Sequence, residues 1–254
     1  MTIREYESIR AMRVSEIVKF AVNDINEIIK DTQKKEMTES IKLGLAVHSI
    51  LLRNDRAGIP DDIDVLDYEN YRSKEAQKER DEAINDNKIP ILISQYDNIL
   101  RGIDFANKEL NVYFNPDECE FEKSFFATDD FFGDIKGRVD CIQNGNVIND
   151  LKVTTQTNML DKKIFDFGYQ LQMYIYMNLA SIEESNLVFF NPDTYLVYAK
   201  KIYLHHIEDE CISLLQRAKD NYNRFQSYKR GEIGILDCGE YATPQWAYSY
   251  LMNN

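Results

Sequence analysis

Proline and glycine are scarce in this chain of 254 residues, at 5 and 10 copies. Low-complexity tracts are missing, as are repeats of the roughly 20–50-residue period that builds solenoids and propellers, so linker-like and repeat architectures are excluded. No stretch approaches the roughly 18 apolar residues of a membrane-spanning helix, and MTIREYESIR at the N-terminus lacks the apolar run of a secretory leader. No membrane partner is expected. Cys119, Cys141, Cys211 and Cys238 include no CxxC pair, which leaves no readable zinc or iron–sulfur ligand set. They read as reduced, partly buried thiols, and a cytoplasmic location follows as the expectation. Positive charge is also short: 30 Lys and Arg face 43 Asp and Glu, for a net charge of -13. That balance weighs against a protein that grips nucleic-acid phosphates with its whole surface, though not against a local basic track. Acidic residues are also what a site for a hard divalent cation requires.

The chain is 44% hydrophobic and 12% aromatic, enough for a sizeable core. One domain over 1–254 is expected, with a mainly helical part at 1–110, a sheet with a crossover helix at 111–204, and a C-terminal helix and tail at 205–254. Ile17, Phe20, Ala21, Ile25, Ile28 and Ile29 form one apolar stripe over Ser15–Lys30, with Ser15 as a plausible N-cap. Ile41, Leu45, His48 and Leu52 continue the helical pattern from about Thr38 to Arg53. GIPDDID at 58–64 reads as loop, and helices fit 72–86 and 91–108. The period then changes. Segments 119–127, 134–142 and 147–154 are short and β-rich, a helical segment spans 162–182, strands fit 186–193 and 195–204, and a long amphipathic helix covers 207–229. An α/β or α+β sandwich is the architecture this order implies.

The hairpin around Gln143-Asn144-Gly145-Asn146 carries the chemistry. Asn-Gly is a strong short hairpin signal. On its second strand Asp150 and Lys152 are two apart and share a face, while Leu151 points to the core; pairing brings the strand of Asp140 alongside. Two carboxylates and an ammonium therefore converge without any long-range assumption. Such a trio suits phosphodiester hydrolysis, with carboxylates holding Mg²⁺ or Mn²⁺, the Leu151 backbone carbonyl as a possible further ligand, and a lysine orienting water or offsetting charge on the phosphate. Asp-x-Lys alone is uninformative, since it also occurs at 86–88, 134–136 and 161–163. By spacing alone, an exposed charged hairpin explains it equally well.

Gly137-Arg138-Val139-Asp140, Asn149-Asp150-Leu151-Lys152-Val153-Thr154-Thr155 and Gly168-Tyr169-Gln170-Leu171-Gln172-Met173-Tyr174-Ile175-Tyr176 occur in this order at tight spacing. Together with Gly44-Leu45-Ala46-Val47-His48 they resemble the PD-(D/E)xK nuclease superfamily, in its RecE-like (exodeoxyribonuclease VIII-type) branch related to RecB nuclease domains. The likeness spans about residues 5–180 and departs at Val153, where the family has Thr. It implies a restriction-endonuclease-like central mixed sheet flanked by helices. It also implies a metal-dependent exonuclease acting on double-stranded DNA ends, 5′ to 3′, in phage or prophage recombination. A single-strand annealing protein and a homo-oligomeric ring would be its partners. A RecB-like repair nuclease or an endonuclease would share every residue named, and an inactive DNA-binding or assembly protein is the alternative of another class.

By this resemblance Asp140 and Asp150 are the principal metal ligands and Lys152 assists the water. His48, otherwise a packing residue, approaches the metal or phosphate. Glu122, otherwise a solvent-facing strand residue, is an additional carboxylate. Gln172 and Tyr176 orient substrate or Lys152, although Gln170 and Tyr174 share their i,i+4 spacing. Arg138 binds phosphate or pairs with Asp134. Lys162, Lys163, Arg217, Lys219 and Arg224 are candidates for a DNA track; a solvated face over an aromatic stripe is the plainer account of the last three.

Overall fold

Asn144 and Gly145 both take positive φ, 49° and 74°, the mirror-image turn whose twist matches that of its flanking strands. A hairpin thus forms where the dipeptide signals it. The computed structural model describes residues 3–31 and 38–233; Cys238 and most of the expected C-terminal tail lie outside them.

Helix α1 (Ile3–Ser8) leads to the two-residue strand β1 (Met12–Arg13) and to helices α2 (Val14–Val22), α3 (Ile25–Asp31) and α4 (Glu39–Leu51). Strand β2 (Ile63–Leu66), helix α5 (Lys74–Asn85), strand β3 (Ile89–Leu92) and helices α6 (Ile93–Phe105) and α7 (Asn107–Phe114) follow. Strands β4 (Cys119–Asp129), β5 (Gly133–Gln143) and β6 (Val147–Val153) form a meander. Helices α8 (Leu160–Asp166) and α9 (Tyr169–Ala180) then cross to β7 (Glu184–Phe190), and β8 (Val197–Tyr203) precedes α10 (Leu204–Lys229).

The main sheet is mixed, in the order β1-β5-β6-β7-β8 with β4 on the far edge of β5. Strands β6 and β7 are parallel, with Asp150 opposite Leu187, as a helical crossover between them demands. One face packs on α2, α3, α9 and α10; the other packs on α4, α6, α7 and the small parallel pair β2–β3. This is an α/β fold with a central mixed sheet flanked by helices. Among the described residues no helix is long and apolar enough to cross a membrane. Cys119, Cys141 and Cys211 are free thiols.

Strands β4 and β5 change faces midway. Phe121 and Cys141 belong to the α4-side layer, whereas Phe125, Ile135 and Val139, in the same odd-numbered phase, belong to the α9-side layer. Residues two apart on a regular strand share a face, so the phase breaks between them. The break falls at Glu122 and Asp140: Phe121 pairs with Cys141 and Lys123 with Val139, but the residues between do not pair. Glu122 has φ of 55°, a left-handed conformation that is uncommon outside glycine and clusters at functional sites.

Four local expectations are corrected. The stripe over Ser15–Lys30 is buried throughout, but it is carried by two helices that break at Asn23 and Asp24, where Asp24 Oδ1 accepts the Asn26 N–H at 2.8 Å. Arg13, not Ser15, is the N-cap of α2, with its N–H donating to Glu16 Oε2 at 2.8 Å. On α4 the buried face is Lys42, Ala46, Val47, Ile50 and Leu51, while Ile41 and Leu45 are exposed. Lys42 can lie inside because its ammonium reaches Glu39 at 2.7 Å and sits 5.0 Å from the Tyr71 ring centre, so its stem is buried with the charge still partnered. Finally, Ile63 and Asp64 belong to β2 and not to loop, and Ile91 and Leu92 belong to β3 and not to helix; strands of four residues offer too few positions for a period to show.

Candidate active site

Strands β5 and β6 stay paired for three registers, from Gln143–Val147 to Cys141–Asn149, and then part; β1 takes up that edge of β5 at Ile135 and Lys136. Parting strands leave backbone groups in need of partners. One is the Leu151 N–H, which donates to Asp140 Oδ2 at 2.8 Å. The carboxylate of Asp140 thus stands in for a missing ladder carbonyl, which fixes it beside β6 and close to Asp150.

Asp150 is 2% exposed. Lys152 Nζ approaches its Oδ2 to 2.6 Å, an ion contact at an angle unsuited to a hydrogen bond, so Oδ2 is buried without one. Lys152 Nζ also donates to Gln172 Oε1 at 3.0 Å, and Gln172 Nε2 donates to the Tyr176 hydroxyl at 3.2 Å. The amide is thereby held with its oxygen toward the ammonium. Gln170 instead donates to Glu210 at 3.2 Å, so it is Gln172 and Tyr176 that face Lys152. From the other face α4 brings His48, with Nδ1 3.7 Å from Asp140 Oδ2, too far for a hydrogen bond.

Burial and crowding of like charge set the electrostatics. Burial first, then the Asp150 charge, hold the Asp140 carboxyl well above the usual range, with Lys152 and the Leu151 N–H opposing. Burial alone would lower Lys152, but Asp150 and Asp140 more than offset it and hold the ammonium above its ordinary value. Burial, then repulsion from Lys152, lowers His48 to about 4 despite a hydrogen bond to the Leu151 backbone. At neutral pH the site therefore holds a cationic lysine and a neutral imidazole with a lone pair to offer. Burial raises Glu122 against the pull of Arg138.

The remaining candidates divide. Arg138 pairs with Glu122, not with Asp134, whose carboxylate accepts the Thr128 hydroxyl at 2.9 Å. Glu122 thus stands opposite Asp140 with its charge already partnered. Among the described residues no three His, Cys, Asp or Glu side chains form a ready metal cage. His48, Glu122, Asp140 and Asp150 do not close on one point; Asp140 and Asp150 are the carboxylates near enough to act on each other's charge, and Asp150 is paired with the ammonium of Lys152. Lys163 Nζ donates to Thr154 Oγ1 at 2.6 Å, tying α8 to the end of β6, and Lys162 pairs with Asp166. Arg217, Lys219 and Arg224 lie on α10, and Lys219 rests 5.5 Å from the Phe131 ring centre; they make none of the contacts that build the site.

Tyr169 is a site residue that sequence reading passed over: Lys152 Nζ lies 4.5 Å from its ring centre, a cation–π contact. Its only signal was its place in the Gly168–Tyr176 motif, where no role was given to it. Glycine at 168 has its own cause, since φ is 66° and a Cβ there would stand 2.7 Å and 2.8 Å from Val22 and Val18. Gly137 has another. A Cβ there would stand 2.9 Å from Tyr176 Cε1 and 3.1 Å from Val14 Cγ2, so the Tyr176 ring packs where a side chain would be. Gly137→Ala should displace that ring, release Gln172 and loosen Lys152. A lower melting temperature is expected, since the ring and Val14 are buried and overpacking a core costs about 1–3 kcal/mol, together with shifted Lys152 side-chain signals by NMR; unshifted signals would break the link from β5 to Lys152.

No family model matches the chain, and no curated protein matches it. Among solved structures, a candidate exonuclease from Eubacterium rectale is similar over 92% of this chain and 88% of that one, at 15% identity and a TM-score of 0.58. A phage-related exonuclease from Haemophilus somnus is 15% identical over 89% of this chain and 99% of that one, with a TM-score of 0.40. An alkaline exonuclease from Laribacter hongkongensis is 12% identical over 63% and 87%, with a TM-score of 0.34. At such identity the E. rectale likeness establishes a shared fold; any chemistry has to be argued from the site.

Proposed function

We propose that this protein is a divalent-cation-dependent deoxyribonuclease that shortens double-stranded DNA from its ends. One observation carries the reading: where β5 and β6 part, the Leu151 N–H fixes Asp140 beside Asp150, and Asp150 is paired with Lys152, which Gln172 holds in place. The name of the E. rectale protein, whose fold this chain shares, agrees with it.

The residues fit a hard cation. The donors are oxygens, Asp150 Oδ2 is buried without a hydrogen bond, and Asp140 is held in a place where burial and Asp150 both disfavour its charge. A cation would relieve both. Asp140, Asp150 and the Leu151 carbonyl would hold it, with His48 as a neutral neighbour; Mg²⁺ or Mn²⁺ suits such donors. When bound, it supplies Lewis-acid polarisation of the phosphate and a more acidic water.

The chain's own groups do the rest. Lys152, kept cationic by Asp150, donates hydrogen bonds toward the attacking water or a phosphate oxygen and offsets the negative charge that grows there. Gln172 and Tyr176 fix the direction of that ammonium before substrate arrives, so little reorganisation is left for the reaction itself. Attack in the 5′ to 3′ direction, a ring-shaped oligomer threaded by DNA and an annealing-protein partner are supported by the motif resemblance alone. A ring would keep an acidic protein on its substrate despite weak general affinity, and processivity that survives dilution of a monomer would count against it.

The test is digestion of linear against closed-circular duplex DNA with Mg²⁺, beside a chelator control. Loss of the linear form alone, abolished by chelation, is the expected result. Cleavage of the circle would make the protein an endonuclease. Absence of cleavage with Mg²⁺ or Mn²⁺ would favour a binding or assembly protein.

A further inference from the structure

Beside the ammonium of Lys152 the surface dips into a hollow of about 360 Å³ between α2 and the corner joining α8 to α9. Lys152 and Gln172 close one end of it, so it runs on from the site described above. Its volume lies at the small end of the range of roughly 300–1,000 Å³ typical of small-molecule sites. It is suited to one mononucleotide and too small for a duplex.

The wall at the α8–α9 corner is aromatic. Phe167 is 54% exposed, although an apolar ring of that size gains by burial. It is not adrift: the Tyr169 ring stacks on it at a centroid distance of 5.6 Å and an interplanar angle of 28°. Tyr169 in turn lies 4.5 Å from Lys152 Nζ. Ammonium, tyrosine and phenylalanine therefore form a continuous series from the reacting centre outward. The corner that presents Phe167 is fixed by Gly168, which packs against Val18 and Val22 of α2. Asp166, the acid in the wall, is paired with Lys162, so it does not stand as a bare charge against a phosphate. Lys19 of α2 and Asn23, just past its end, add polar groups to the lining.

We propose that this hollow receives the sugar and base of the nucleotide whose phosphate meets Lys152, with the base stacked against Phe167. The inference rests on the nuclease reading and deepens it by assigning a residue that positions substrate. A stacking surface recognises the π-face that every base has, so the site accepts purine and pyrimidine alike. That is what a nuclease moving through arbitrary sequence requires.

The first experiment measures binding of 2′-deoxyadenosine 5′-monophosphate to the full chain by protein-observed NMR, with 2-deoxyribose 5-phosphate as the probe that lacks a base. Phe167→Ala and Phe167→Tyr are compared with the parent; the exposure of this ring makes truncation compatible with folding, and the spectra check it. The expected result is about tenfold weaker binding of the nucleotide by Phe167→Ala, near-parental binding by Phe167→Tyr, and no difference between variants for the sugar phosphate. Nucleotide binding unchanged in Phe167→Ala, an equal loss for both probes, or no parental binding up to about 10 mM would each overturn it. A protein that digests linear DNA without this dependence on Phe167 loses the hollow and keeps the nuclease reading. One that shows the dependence and digests nothing loses the nuclease reading and keeps the hollow.

Discussion

Lys152→Ala should lower the rate at which linear duplex DNA is shortened by about 10²–10³-fold, the usual consequence of removing one preorganised donor from developing negative charge. The same substitution should also destabilise the metal-free protein. Asp150 is 2% exposed and its ion contact is with Lys152, so truncation leaves a buried carboxylate uncompensated. Breaking such a pair costs about 3–5 kcal/mol, and the lower end is expected here because 17% of the lysine side chain is exposed. Asp150→Asn in the same chain removes the stranded charge. The double variant should therefore regain most of the lost stability and none of the activity. Chemical unfolding in the presence of chelator measures the first, and a gel-based digestion measures the second. A double variant no more stable than Lys152→Ala would show that Asp150 does not depend on this ammonium.

Asp140→Asn should separate stability from function in the opposite sense. The Asp140 carboxyl in the folded chain is held well above its ordinary range by burial and by Asp150. A proton therefore binds it more tightly in the folded than in the unfolded state. Its contribution to stability is complete below the unfolded value, near 3.9, and is lost as pH rises through the raised folded value. His48 acts the other way. Its folded value is lowered from 6.5 to about 4, so its contribution is present above 6.5 and lost as pH falls toward 4. His48, 3.7 Å from Asp140, is present in both proteins, so the comparison is read above pH 6.5, where its contribution is complete in each. An asparagine amide oxygen can still accept the Leu151 N–H. Without metal, the variant should melt higher than the parent at neutral pH, and the gap should narrow as pH falls toward 6.5. Mg²⁺ should raise the melting temperature of the parent and leave the variant nearly unmoved, while digestion is lost. An equal Mg²⁺ shift in both proteins would remove Asp140 from the cation site.

The amino-acid sequence carries the hairpin and the pairing of Asp150 with Lys152. The Asn-Gly turn sets the hairpin, and the two-residue period puts Asp150 and Lys152 on one face; both are local rules that need no partner elsewhere in the chain. What escaped reading depended on neighbours. The break at Asn23 is hidden because Ile17, Phe20, Ala21, Ile25, Ile28 and Ile29 are buried on both sides of it, and a stripe does not record a kink that preserves its phase. On α4 the polar residue lies inside, since Glu39 and the Tyr71 ring accommodate the ammonium of Lys42. The positive φ of Glu122 has no sequence signal, because glutamate does not favour that conformation and is held there by the strands around it. Tyr169 was visible as a motif letter, but its position under Lys152 depends on how closely α9 approaches α2 at Gly168.

The change of faces in β4 and β5 has a mechanical consequence. A hairpin that kept one phase would give the same alternate side chains to one helical layer along its whole length. This one gives Cys141 to the first layer and Val139 to the second, so it works as a stitch through both. Asp140 is the stitch hole. The carboxylate thus takes its position from two packed layers at once and not from the hairpin alone.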